Sequence, residues 1–130
     1  MPHSVIDIIP NKVEESLVES ILDYLQTIDK MDYPKDPPTP REVIRKNLFK
    51  KMEGKIKYQS IVIDKTENKV IAFAHISILI KDHPEFDNSK HTAKMDLSVL
   101  KGFTHLDVIE DLFVYILHRT KNYEDRKSVV

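Results

Sequence analysis

Two residues with the chemistry to move a proton lie in runs that read as strands. Asp96 lies in the run Thr92–Val99, where Met95, Leu97 and Val99 alternate with Asp96 and Ser98. The alternation turns Asp96 off the apolar face. There it can act as general base for an amine, or stand as a solvated strand aspartate. His75 interrupts the apolar run Val70–Ile80. An imidazole in that setting is a base, a ligand, or a core histidine with its hydrogen bonds satisfied. His83 and His91 share a polar loop with Asp82, Glu85 and Asp87. These are metal-ligand types, but their spacing matches no zinc signature, so they read as solvated loop residues. Arg41, Arg45, Lys46, Lys50, Lys51, Lys55 and Lys57 make a basic stretch that could steer phosphates. Phe49 is the only aromatic within it and belongs to an apolar helix face. Base stacking is therefore unsupported, and a charged helix surface is the simpler reading.

Those residues are carried by 130 positions, a length that suits one domain over 1–130. Apolar residues make up 41% and charged residues 32%, enough for a core and a solvated surface. The net charge of −1 gives no global field for nucleic acid or an anionic membrane, so neither is an expected partner. No cysteine occurs. This excludes a thiolate nucleophile, a disulfide framework and cysteine-ligated metal, and it fits a reducing cytoplasm. Residues 1–9 lack a basic, then apolar, leader pattern. The apolar runs fall short of the roughly 20 residues needed to cross a bilayer. The only glycines are Gly54 and Gly102.

The elements that would position Asp96 and His75 follow from periodicity and punctuation. Ser4–Ile9 reads as a strand. Asn11 with Glu14 three residues on reads as a capping box for a helix along Val13, Leu17, Val18, Ile21, Leu22, Leu25 and Ile28, fading near Lys30. The proline-rich segment from Tyr33 to Pro40 is a stiff interhelical loop. Thr39-Pro40-Arg41-Glu42 supplies a hydroxyl cap, a proline at the first helical position and a glutamate for a second helix ending before Gly54. Tyr58–Asp64 and Val70–Ile80 read as strands joined by the polar turn 65–69. The second is apolar on both faces and so central. Thr92–Val99 is the next strand. A third helix is expected from Thr104 to Thr120 with Leu106, Ile109, Leu112, Phe113, Ile116 and Leu117 on one face. Lys127–Val130 reads as the start of another strand. Leu17, Ile21, Leu25, Ile61, Ile63, Phe73, Leu97, Leu112 and Ile116 are the expected core.

This order of elements resembles the GNAT acetyltransferase family, closest to the amino-terminal modules of two-domain GNAT proteins. Three places carry the resemblance. They are the loop into Thr39-Pro40-Arg41-Glu42, the hairpin from Ser60–Asp64 to Val70–Ala74, and the strand Met95–Val99 turning into a long helix. It implies an α/β fold with a central mixed, mostly antiparallel sheet flanked by helices and lacking the carboxy-terminal strands. The family holds the pyrophosphate of acetyl-CoA on a Q/R-x-x-G-x-G/A loop, where free amides and a helix amino terminus favour an anion.

Carried onto this chain, the cofactor would lie along Leu97, Ser98 and Val99 and over Thr104, His105, Leu106, Asp107, Val108 and Ile109, with Asp96 as catalytic base. The chain departs from the pattern. The family's basic residue falls at Thr104, or at His105 if the register slips by one. With Thr104, the glycines fall at Asp107 and Ile109. Thr104 and Asp107 look like a capping pair, and Asp107 would repel a diphosphate. The resemblance implies acetyl transfer to a small-molecule or peptide amine by a degenerate domain that binds acetyl-CoA weakly or not at all. Its rival is a non-catalytic GNAT-like module that docks a catalytic partner domain, such as a second GNAT half, or forms a homodimer.

Overall fold

A strand that is apolar on both faces needs a cover on each side, and the computed structural model is built around two such strands. It describes residues 3–50, 55–79, 93–103 and 106–128. The strands are β1 (His3–Asp7), β2 (Lys55–Asp64), β3 (Lys69–Leu79) and β4 (Ala93–Val99), and the helices are α1 (Glu15–Asp32), α2 (Arg41–Phe49) and α3 (Leu106–Ser128). The sheet runs β1-β2-β3-β4, every neighbour antiparallel. On one face, α1 and α2 bury Val18, Ile21, Leu22, Tyr24 and Leu48 against Ile61 and Val70. On the other, α3 buries Val108, Leu112 and Ile116 against Val62, Ala72, Ala74 and Ile76. A register slip between Val62 and Ile63 lets the consecutive residues Ile71 and Ala72 both join the α3-side core.

Polar contacts fix how the helices sit. Arg41 donates to Asp23 (2.8 Å), Gln26 (2.7 Å) and the Glu19 carbonyl (3.1 Å), and also pairs with the Glu19 carboxylate. Arg45 makes a bidentate pair with Glu15 at 2.5 and 2.9 Å and holds that carboxyl below its usual range. Lys57 donates to the carbonyls of Asn47, Leu48 and Lys50, closing the carboxyl end of α2. Three residues of the basic stretch are thus engaged within the fold: Arg41, Arg45 and Lys57 brace α1, α2 and β2. On the α3 side, His3 meets Asp111 at 2.7 Å, and Arg119 pairs with Asp7 and lies 4.8 Å from the Tyr58 ring centroid.

Several expectations are corrected. Asn11 does not cap α1. Its φ of 69° is left-handed, and Glu14 holds the cap position without a side-chain bond; asparagine tolerates that turn geometry. Thr39 does not cap α2 either. Its amide and hydroxyl both donate to the Asp29 carboxylate at 3.1 and 3.2 Å, and Pro40 takes the cap position. Lys127 and Ser128 are helical, so the expected strand from Lys127 does not form there; Val129 and Val130 lie outside the described residues. The α3 face is rotated from the expected one. Val108, Leu112 and Ile116 are buried, whereas Phe113 and Leu117 are more than 40% exposed. Leu97 is 37% exposed and is not core. Leu17, Leu25, Ile63 and Phe73 pack at the margin of the core, while Ile21, Ile61, Leu112 and Ile116 are fully buried.

Leu112→Ala should therefore cost about 2–5 kcal/mol in denaturant melts, and Leu97→Ala less than about 1 kcal/mol. Equal losses would contradict the assigned faces. Tyr24 gives a pH signature. Its hydroxyl meets Ser98 Oγ at 2.8 Å, and burial pushes the phenol up to about 12, an effect the Ser98 bond partly offsets. The unfolded phenol ionises near 10. The stability this group contributes is complete below that pH and is lost as pH rises from about 10 to about 12. Tyr24→Phe should flatten that slope in melts compared at pH 8 and 11.

Candidate functional site

The candidate site is the free side of β4 with the turn that follows it. Register decides which backbone groups are free. Leu100 donates its amide to the Ile71 carbonyl at 2.7 Å, and Val99 stands opposite Ala72. The amides of Leu100, Ser98, Asp96 and Lys94 therefore face β3, and those of Val99, Leu97 and Met95 face away. Among the described residues no strand pairs with that outer side. Of the residues expected to lie along acetyl-CoA, Leu97 and Val99 thus present edge amides. Ser98 instead turns its hydroxyl to Tyr24 and its backbone to β3.

The turn after β4 is tight. Phe103 donates to the Leu100 carbonyl at 3.0 Å, and Gly102 sits at φ 94°, a conformation glycine adopts without strain. Lys69 lies 4.9 Å from the Phe103 ring centroid. Two turn amides, Leu100 and Phe103, are thus already bonded within the fold. Thr104 and His105 lie outside the described residues, as does the side chain of Leu106. Asp107 is exposed in the first turn of α3, Val108 is fully buried, and Ile109 is half-buried. The first turn of the helix therefore carries an exposed carboxylate, and the residue at the second glycine position carries a branched side chain. These residues do not fit a diphosphate: the charge has the wrong sign, and the backbone is kept at a distance.

On the α1–α2 face, β2, β3 and β4 line up a polar row. Gln59 stands opposite His75, and His75 opposite Asp96; Lys57 stands opposite Ser77, and Ser77 opposite Lys94. Gln59 donates to the Leu48 carbonyl at 2.8 Å. Asp96 and Lys94 are exposed. His75 Nε2 is buried and has no partner among the described residues. Burial holds this imidazole below its usual pKa; Lys57 and, less strongly, Lys94 push the same way, and Asp96 opposes them. The register thus brings together the two proton-moving residues named from the sequence, which sequence spacing alone could not do. Tyr24 was missed. Its place on the α1 stripe three residues after Ile21 was the available signal. It lines a cleft of about 420 Å³ with Ser20, Asp23, Asn68, Lys69 and Leu100. The histidine–carboxylate loop of His83 and His91 lies outside the described residues. Among the described residues no helix is long and apolar enough to cross a membrane.

No family model and no curated protein matches the chain. Among solved structures it is similar to a GCN5-related N-acetyltransferase from Kribbella flavida, at TM-score 0.56 and 18% identity. The match covers 89% of this chain and 63% of that one, so the chain spans less than two thirds of that protein's length. At this identity the likeness concerns the fold alone: the four-stranded antiparallel sheet and its three helices are GNAT-like in fold.

Proposed function

We propose that the chain is a GNAT-like domain, degenerate as an acyltransferase, that works by offering the outer edge of β4 to a protein partner. One observation carries this reading. Where acetyl-CoA would need free amides and close backbone, Leu100 and Phe103 amides are already bonded, and Asp107 sets a negative charge in the first turn of α3. Calorimetric titration with acetyl-CoA should give a Kd weaker than about 1 mM, that is, less than about 4 kcal/mol of binding. The double variant Asp107→Gly/Ile109→Gly should bind at least roughly tenfold more tightly, despite about 1 kcal/mol of helix destabilisation for each glycine. Tight binding by the unmodified chain, unimproved by the glycines, would return it to the active acyltransferases.

A second reading, deprotonation of an amine acceptor by Asp96, is favoured by the cross-strand placement of His75 and its unpartnered buried Nε2. In it Asp96 takes the amine proton, with His75 across the ladder from it as the second titratable group of the site. Turnover of small-molecule or peptide amines that falls at least about a hundredfold in Asp96→Asn would support this reading. The reading we favour expects no turnover. Either way His75 leaves a pH signature. The unfolded chain takes up a proton on this imidazole below about 6.5, which the folded chain resists. Stability should therefore fall as pH drops below that value, and His75→Gln should remove that part of the slope.

A further inference from the structure

We propose that β4 pairs with β4 of a second copy, antiparallel and with Met95 on the two-fold axis, so that the two sheets become one eight-stranded sheet. The inference rests on the reading of β4 as a protein-docking edge and names its occupant.

The outward amides and carbonyls of Met95, Leu97 and Val99 are a row of backbone groups that another strand can complete. Two copies related by a two-fold axis through this edge run antiparallel and keep the α3 face of one continuous with the α3 face of the other. Only registers centred on a single residue satisfy that symmetry, because paired residues then share a face. Three such centres lie well inside β4, and charge separates them. Centring on Asp96 sets Asp96 against its own copy at the closest kind of pair. Centring on Leu97 sets Asp96 against Ser98, whose hydroxyl is engaged with Tyr24, and leaves Lys94 without an acid. Centring on Met95 sets Lys94 of each copy against Asp96 of the other, twice. Both side chains are exposed and on the same face.

The backbone agrees with this choice. With Met95 on the axis the outward-facing residues 93, 95 and 97 form the hydrogen-bonded pairs. Lys94 and Asp96 fall at the non-hydrogen-bonded pairs, where Cα atoms approach to about 4.5 Å and side chains couple most strongly. The apolar surface also continues toward this edge. Leu97 is on the α3 side of β4, opposite Ala74, and is 37% exposed. Asp111 meets His3 of β1, so the opposite flank of α3, bearing the exposed Phe113 and Leu117, lies on the side toward β4.

Sedimentation equilibrium on the whole chain tests the register. The wild type should be a dimer at about 100 μM. Lys94→Asp and Asp96→Lys should each place like charges opposite one another at two symmetry-related pairs and weaken association by roughly ten- to a hundredfold. Mixing the two single variants should restore dimers. One strand of the mixed pair is then acidic at both positions and the other basic at both, so opposite charges meet at each pair across the interface. The double variant Lys94→Asp/Asp96→Lys should dimerise as the wild type does. Far-UV circular dichroism checks that each variant is folded, and the mixing arm needs no variant to regain anything by refolding. A monomeric wild type, or a dimer insensitive to single reversal, or single variants that do not pair when mixed, would overturn the proposal. A monomer that also fails to bind acetyl-CoA overturns the pairing and leaves the degenerate-domain reading standing. A dimer with this charge pattern that binds acetyl-CoA tightly does the reverse.

Discussion

The structure depends on β3 being buried on both faces. Ile71, Ala72 and Ala74 are wholly removed from solvent, and Val70, Ile76 and Ile78 nearly so. A strand in that state needs a neighbour on each edge and a helix layer on each side. β2 and β4 supply the edges. α1 and α2 cover one face and α3 the other. Two alanines in sequence register, Ala72 and Ala74, leave room for Leu112 and Ile116 to fill the space on the α3 side. The bulge at Ile71 adds one more apolar side chain to that same layer and shifts the β2–β3 pairing by one residue beyond it.

Covering β3 does not fix where α3 lies along the sheet. Polar contacts with β1 and β2 do that. Asp7 is held by Ser60 Oγ at 3.0 Å and by Arg119, which also rests on the Tyr58 ring, while His3 holds Asp111. Such charge-assisted contacts are directional where apolar packing is not. They draw α3 toward the β1 side. The consequence falls on β4, whose α3-side residue Leu97 is left half open, and on the helix flank bearing Phe113 and Leu117. An exposed apolar strip beside a free strand edge thus follows from how the polar network anchors the helix.

Much of this was legible in the sequence, and the failures have physical causes. The proline loop, the three helices, and the alternation of β4 were readable because proline, helical spacing and period two are local signals. The central position of Val70–Ile80 was readable from its two-faced apolar content. The face of α3 was not. Val108, Val114, Phe113 and Leu117 make the helix apolar over more than half its circumference, so spacing alone cannot choose the buried third; Arg119 and Asp111 choose it through partners on β1. Leu97 failed for a related reason. Alternation assigns a side of the strand, but burial on that side requires a helix above it. The caps failed through competition: Asp29, ten residues before Thr39, is a charged acceptor and draws the threonine hydroxyl away from the helix amides. His75 and Asp96 could be named separately, but only the β3–β4 register sets them opposite each other.

The edge of β4 cannot serve two occupants at once. A cofactor lying along it, as the fold resemblance implies, and a second copy both need the outward amides of Leu97 and Val99 or their neighbours, and an amide donates one hydrogen bond at a time. What decides between them is the groups beside those amides. A diphosphate needs positive charge and uncommitted donors at the next turn. The chain has Asp107 there, and the amides of Leu100 and Phe103 already serve Ile71 and Leu100. A second β4 needs alternating charge in a self-complementary order and nothing at the turn. The chain has Lys94 and Asp96 flanking Met95. The turn and helix start that suit an anionic ligand poorly thus adjoin a strand whose charges, in the proposed pairing, complement their own copy. An edge amide left unpaired in water loses little, but one covered by apolar side chains must find an acceptor. The exposed Leu97, Phe113 and Leu117 beside this edge would be covered on association, and the strand pairing would satisfy the backbone that association buries.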